Sequence, residues 1–184
     1  MAHVPKLQLP LHRDNRISMP VELKGSCHCG AVRFSLQSST AVPYQLCLCS
    51  ICRKVGGPGG SINLGGHFKT LKIETGQEHI RSCLQSCTQQ RYSRGTYRFV
   101  RERNFCSKCS TMLWLYDKTW PELVHPFASA IDSPALEVPE KMVCLMTDSK
   151  PGYVRLPEGA KELYSEYPQL SLEDWHKNNG LFVE

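Results

Sequence analysis

The stretch Cys47-Leu48-Cys49-Ser50-Ile51-Cys52 puts three thiols within six residues, and the rest of the chain is read outward from it. Two tight pairs flank it, Cys27-His28-Cys29 upstream and Cys106-Ser107-Lys108-Cys109 downstream. CxC and CxxC spacings favour gathering sulfurs on one ion over distant pairing. A closed tetrahedral zinc site takes four thiolates, so the seven cysteines of these groups leave three over. Three protein ligands with an open fourth position is the arrangement of a catalytic zinc. The count therefore predicts two zinc ions with unequal roles.

The remaining composition narrows the class. A chain of 184 residues fits one domain with a real core, and 41% hydrophobic and 21% charged residues are ordinary for a soluble protein. No apolar run has the length of a transmembrane helix. Residues 1–20, MAHVPKLQLPLHRDNRISMP, lack a continuous apolar segment and are expected to form a flexible tail rather than a signal peptide. Ten cysteines without a secretory signal point to metal binding in a reducing compartment, the cytoplasm, rather than to a disulfide framework. The net charge of +5 is a modest excess. Its one concentration, Arg91, Arg94, Arg98, Arg101 and Arg103, reads as a solvated strand face, with a phosphate-binding patch as the rarer alternative. The N-terminal segment, with His3, Lys6, His12, Arg13 and Arg16, is too sparse for a nucleic-acid arm. No membrane partner is expected, and a homodimer is compatible with the sequence.

Short strands dominate the pattern. Glycines flank the CxC in Gly25-Ser26-Cys27-His28-Cys29-Gly30, as a tight loop turning its sulfurs onto one point requires. Val32, Phe34 and Leu36 alternate as on a half-buried strand, and Tyr44–Leu48 delivers the central thiols. Arg53 to Gly60 holds four glycines and a proline, which excludes a helix interior; it reads either as a loop admitting a ligand or as a turn. Strands are expected at Ser61–Leu64, Phe68–Glu74 (with a bulge), Thr96–Arg101, Thr111–Tyr116, Leu123–Ala130 and Lys141–Met146. Cys83 and Cys87 read as ordinary thiols and Cys144 as a core residue. A short helix is expected at Gly159–Glu166. The chain divides into the tail 1–20, a mainly β zinc-binding domain 21–168 and a C-terminal extension 169–184.

The distant CxC and CxxC can grip one zinc as two knuckles, a closed site that adds folding free energy and does no chemistry. We read Cys27, Cys29, Cys106 and Cys109 this way, although a ribbon of Cys49 and Cys52 with Cys106 and Cys109 has acceptable spacing too. Around zinc, Cys47, Cys49 and Cys52 would leave a vacant corner suited to a substrate thiol, whose pKa the metal lowers. Such a site can hold a thiolate for addition to an aldehyde, or stabilise one leaving in the reverse cleavage. The competing reading is a second structural zinc completed by a histidine or water.

These residues resemble a family. Gly25-Ser26-Cys27-His28-Cys29-Gly30-Ala31-Val32, Cys47 through Gly56, and Phe105-Cys106-Ser107-Lys108-Cys109 are similar to the glutathione-dependent formaldehyde-activating enzyme family, which includes the domain of centromere protein V. Ala130-Ile131-Asp132 and Asp148-Ser149-Lys150-Pro151-Gly152-Tyr153 extend the resemblance over roughly 21–168. It implies a β-tent fold of short antiparallel sheets stapled by zinc, with a structural zinc on Cys27, Cys29, Cys106 and Cys109. It further implies a second zinc on Cys47, Cys49 and Cys52, where glutathione adducts such as S-hydroxymethylglutathione are made or cleaved by carbon–sulfur lyase chemistry. Two positions depart from the family pattern: Ser110 replaces its glycine after the last cysteine, and Leu48 replaces a frequent histidine. Arg53 and Lys54 are candidates to meet the carboxylates of glutathione, against a solvated surface pair. His28, His67, His125 and Asp132 are candidates for proton transfer, with Asp132 favoured by the resemblance. The alternative function is a non-catalytic zinc module that binds chromatin or a protein.

Overall fold

The computed structural model describes residues 19–86 and 100–184. The expected tail up to residue 18, Cys87, and the arginines at 91, 94 and 98 lie outside the described residues. So does most of the strand expected at Thr96–Arg101. The described chain builds three small sheets and two short helices. The first sheet is antiparallel: β1 (Val21–Ser26), β2 (Arg33–Ser38), β6 (Lys72–Thr75) and β11 (Ile131–Ser133), in the order β11-β1-β2-β6. The second, also antiparallel, holds β5 (Gly66–His67), β7 (Ile80–Ser86), β8 (Val100–Cys106), β9 (Met112–Asp117) and β10 (Leu123–Pro126), in the order β5-β10-β9-β8-β7.

The third sheet departs from the expected antiparallel pattern. In it β3 (Gln45–Cys47) and β13 (Lys161–Leu163) both run parallel to β12 (Met142–Leu145), and only β4 (Ser61–Ile62) is antiparallel, to β3. Two further differences have local causes. The segment around Gly159–Glu166 is not helical; pairing with β12 makes its centre strand β13, as tertiary contacts override weak propensity in so short a segment. The stretch after the central thiols begins as helix α1 (Ser50–Gly56), because Cys49 caps it and its glycines come only at its end. The broken alternation after Phe68 has two sources: a 3₁₀ turn at Phe68–Thr70, and a bulge-like register shift in the β2–β6 pairing, where Arg33 faces Thr75 but Phe34 faces Ile73.

The alternating apolar residues do what their period predicts. Val32, Phe34 and Leu36 are buried, and Phe34 meets Trp114 of the second sheet edge-on with ring centroids 5.0 Å apart. Leu23, Leu64, Leu113, Val124 and Phe127 complete this core. Gly25 lets β1 press against it: a Cβ there would lie 2.4 Å from the Ala130 carbonyl oxygen and 2.5 Å from Phe34 Cζ. Cys144 is a buried core residue, as its apolar neighbours indicated, and Cys83 stands exposed on β7.

The C-terminal segment carries α2 (Leu172–Asn178), capped by Ser171, whose Oγ accepts from the Asp174 N–H at 3.0 Å. It docks on the third sheet's neighbourhood. Trp175 stacks on buried Tyr44 with centroids 3.5 Å apart and planes 5° apart. His176 is fully buried; its Nε2 accepts from the Val42 N–H (3.2 Å) and its Nδ1 faces the Leu172 carbonyl (2.7 Å). Both ring nitrogens are satisfied only by the neutral form, with Nδ1 donating. Among the described residues no helix is long and apolar enough to cross a membrane.

Candidate functional site

The CxC and the distant CxxC come together. The sulfurs of Cys27, Cys29, Cys106 and Cys109 all lie within 4.8 Å of one another. The turn after β1 is closed by Gly30 N–H donating to Cys27 O (2.9 Å) and Cys27 N–H donating to Val32 O (3.1 Å). The turn after β8 is closed by Ser110 N–H donating to Cys106 O (2.8 Å). Ser110 takes φ 61°, a left-handed conformation that glycine adopts more readily. Thr111 joins the two turns: its Oγ1 accepts from His28 N–H (3.1 Å) and lies 3.2 Å from Cys109 Sγ. That hydroxyl is the main reason the Cys109 thiol is held down to about 5. Sγ separations of 3.5 Å (Cys27–Cys29) and 3.9 Å (Cys29–Cys106) are too long for disulfides. They fit a tetrahedral zinc, whose 2.3 Å bonds set sulfurs about 3.8 Å apart.

The second cluster is built by the end of a strand and the start of a helix. Cys47 ends β3, Cys49 is the N-cap of α1, and Cys52 sits in its first turn, so the three sulfurs fall within 4.8 Å. The Cys49 sulfur accepts from the Cys52 backbone N–H at 3.4 Å. Hydrogen bonds from Cys47 and then Cys52 hold the Cys49 thiol down to about 2. Cys47 is pushed far up, first by its bond to Cys49 and then by that to Cys52, and Cys52 ends raised although its bond to Cys47 pulls it down. Three sulfurs this close cannot all ionise without a counter-charge, and a divalent cation supplies one. Leu48 points away from the cluster and packs with Cys144 and Val154. The residue type at that position therefore shapes the core rather than the donor set. Gly60 braces the cluster from behind: at φ +89°, a Cβ there would lie 2.3 Å from the Cys47 carbonyl oxygen.

Cys47 and Cys52 line a cavity of 420 Å³, within the size range of small-molecule sites. Its opposite wall is one face of the second sheet. Cross-strand register sets Arg103 opposite Leu115, Leu115 opposite His125, and Arg101 opposite Asp117, and all five line the cavity. Period-2 alternation thus turns Trp114 and Val124 into the core and these residues towards the sulfurs. Arg103 is 1% exposed. Arg101 Nε lies 3.4 Å from Asp117 Oδ2, and Arg101 Nη1 donates to the Tyr167 hydroxyl oxygen at 3.1 Å. His125 Nδ1 lies 3.2 Å from the Leu64 carbonyl, which fixes the proton on that nitrogen. Burial, more than the nearby Arg101 charge, brings this imidazole down to about 4, so it is neutral at pH 7.

The sequence-predicted residues distribute unevenly. All seven cysteines are brought together, in groups of four and three. His67 and His125 line the cavity, while His28 is exposed in the CxC turn. Arg53 and Lys54 do not line it. The Arg53 guanidinium donates from Nε to Leu48 O (2.9 Å) and from Nη2 to Ser149 O (2.9 Å), tying α1 to the turn at Thr147–Ser149, and Lys54 is exposed. Asp132 stands exposed on the edge strand β11, away from the cavity lining. Of the basic run expected to be solvated, Arg101 and Arg103 instead face the cavity. Sequence reasoning missed them, with Asp117 and Tyr167. The available signal was the two-residue spacing of Arg101 and Arg103, which puts both on one strand face. The glycine loop after α1 does not line the cavity.

Residues 22–144 match the glutathione-dependent formaldehyde-activating enzyme family. A Halomonas elongata protein, provisionally named as such an enzyme, is 46% identical over 161 residues, covering 86% of this chain and 97% of its own. A crystal structure of a Rhodobacter sphaeroides protein is 22% identical, covers 63% of this chain and 97% of its own, and has a TM-score of 0.47.

Proposed function

Because the chain belongs to the glutathione-dependent formaldehyde-activating enzyme family, we propose that it is a zinc-dependent carbon–sulfur lyase acting on glutathione adducts such as S-hydroxymethylglutathione. In this reading Cys27, Cys29, Cys106 and Cys109 hold a structural zinc, and Cys47, Cys49 and Cys52 hold a second with one position left for the substrate thiol. Bound there, zinc lowers the pKa of the thiol and favours the thiolate. The observation that carries the proposal is the inequality of the clusters: four sulfurs close on themselves, while two of the other three line a cavity of ligand size.

The chain's own residues supply binding and orientation. Cys47, Cys49 and Cys52 fix where the thiol sulfur sits. Arg103 and Arg101, offset by the carboxylate of Asp117, give the facing wall a positive excess that suits the carboxylates of glutathione, and Glu173, also in the lining, is paired with Lys177. In the forming direction the thiolate sulfur attacks the carbonyl carbon, the C–S bond forms, and the carbonyl oxygen takes a proton to become the hydroxyl. The reverse step removes that proton, breaks the C–S bond and returns a thiolate and an aldehyde. Arg53 serves as a brace for α1 rather than as a carboxylate ligand, and Asp132 has no role inside the cavity. A cavity backing the sulfurs favours this activity over a chromatin- or protein-binding module. Free thiolates as ligands suit a reducing compartment, which we take to be the cytoplasm.

The test follows formation and cleavage of S-hydroxymethylglutathione by exchange NMR. We expect wild-type protein to accelerate exchange between glutathione and formaldehyde and Cys49→Ser to lose the acceleration while staying folded. Equal exchange rates with and without wild-type protein, zinc-loaded, would refute the proposal.

A further inference from the structure

Within the lyase reading, which this inference rests on, the segment beyond the family-matched residues supplies part of the site. The family match ends at residue 144, and every residue from Tyr167 onward lies past it. Tyr167, Leu170, Leu172 and Phe182 nevertheless line the same cavity as Cys47 and Cys52. The backbone explains how the segment gets there. Strand β13 runs parallel to β12, and the pairing continues past it: Tyr164 N–H donates to Cys144 O (2.9 Å), Thr147 N–H to Tyr164 O (3.1 Å), and Met146 N–H to Glu166 O (3.3 Å). The next residue is Tyr167, which packs against the buried cluster formed by Cys49, Cys52, Leu145 and Met146. Docking of α2 by Trp175 and His176 then holds the rest of the segment over the cavity.

We infer that the C-terminal segment is a substrate-facing wall of the three-cysteine site, and that the Tyr167 hydroxyl donates a hydrogen bond to the oxygen of the thiol–carbonyl adduct. The placement supports this role from two sides. Tyr167 lines the same cavity as Cys47 and Cys52 and packs on the buried cluster that includes Cys49 and Cys52, so an adduct held by the sulfurs shares its cavity with the phenol. The phenol oxygen accepts from the Arg101 guanidinium, itself held by Asp117, which both fixes the hydroxyl and polarises its O–H into a stronger donor. When the sulfur adds to the carbonyl carbon, the π pair moves onto oxygen. A donor already positioned there stabilises that charge without reorganising. Nothing is oxidised or reduced, and the proton that completes the hydroxyl is the one the thiol released to solvent.

Tyr167→Phe keeps the ring and removes only the hydroxyl. The experiment measures three quantities on zinc-loaded wild type and variant. They are calorimetric affinity for glutathione alone, affinity for glutathione in excess formaldehyde, and the exchange rate described above. We expect unchanged zinc content, glutathione affinity within twofold of wild type, adduct affinity lower by about tenfold, and kcat/KM lower by about a hundredfold. Equal losses of glutathione and adduct affinity, or adduct affinity and rate within twofold of wild type, would overturn the inference. Wild type that turns over the adduct while Tyr167→Phe does so equally well defeats this inference alone. Wild type that binds neither glutathione nor the adduct defeats the lyase reading.

Discussion

Replacing Trp175 by alanine tests whether the C-terminal segment is a working part of the domain. A fully buried tryptophan covers about 150–250 Å² of surface, worth roughly 4–6 kcal/mol at about 25 cal/mol per Å². Trp175 is half-buried, so about half of that, ~2–3 kcal/mol, is at stake. The parallel stack on Tyr44, 3.5 Å between centroids, adds about 1 kcal/mol. The expected loss is therefore about 3–4 kcal/mol, and at roughly 2–4 °C per kcal/mol for a domain of this size the melting temperature should fall by about 10 °C. Thermal denaturation followed by circular dichroism, at fixed zinc, reads this directly, and Trp175→Phe should recover about half the shift. A fall of under 2 °C for Trp175→Ala would show that α2 is not docked as described, and the cavity wall it carries would go with it.

Two further predictions use other parts of the scaffold. Gly60→Ala must either clash with the Cys47 carbonyl, 2.3 Å from the new Cβ, or shift β3; with the added strain of φ +89° it should cost about 2 kcal/mol or more and weaken metal retention at the three-cysteine site selectively. Competition with a zinc chelator checks this, and retention equal to wild type would contradict it. The second concerns acid stability. His125 has a folded pKa of about 4 against an unfolded value near 6.5, and burial lowers His176 in the same direction. The unfolded state therefore binds more protons, and the stability His125 lends is complete above pH 6.5 and lost as pH falls towards about 4, with His176 acting in the same direction. The slope from His125 should be about 1.4 kcal/mol per pH unit between these values, so His125→Gln should flatten the acid limb of a denaturant-midpoint profile. An unchanged limb would refute the burial of a neutral imidazole.

The grouping of the seven cysteines was readable because CxC and CxxC are short spacings that bring sulfurs close together on one turn. The alternating Val32, Phe34 and Leu36 likewise declared a strand, since one buried face imposes period 2. What stayed hidden was whatever depends on long-range register. Arg101 and Arg103 look like any charged strand until the pairing with β9 shows that Leu115 and Asp117 share their face beneath the third sheet. Tyr167 has no motif of its own; only the parallel pairing of β13 with β12 brings it to the cavity that Cys47 and Cys52 line. The segment at 159–166 was misread for the same reason, because a three-residue strand is made by its partner rather than by its composition. Helix α1 was missed because the glycine count of Arg53–Gly60 masked it, although the glycines come only at its end and leave its first turns free to wind.

The central claim is that one sulfur cluster is closed and the other open. Zinc content per chain, with cobalt substitution to report ligand changes, tests it most directly on wild type and Cys49→Ser. The account predicts two metals in wild type and one in the folded variant, with glutathione altering the cobalt spectrum of wild type only. One metal throughout, or two whose spectrum ignores glutathione, would contradict it.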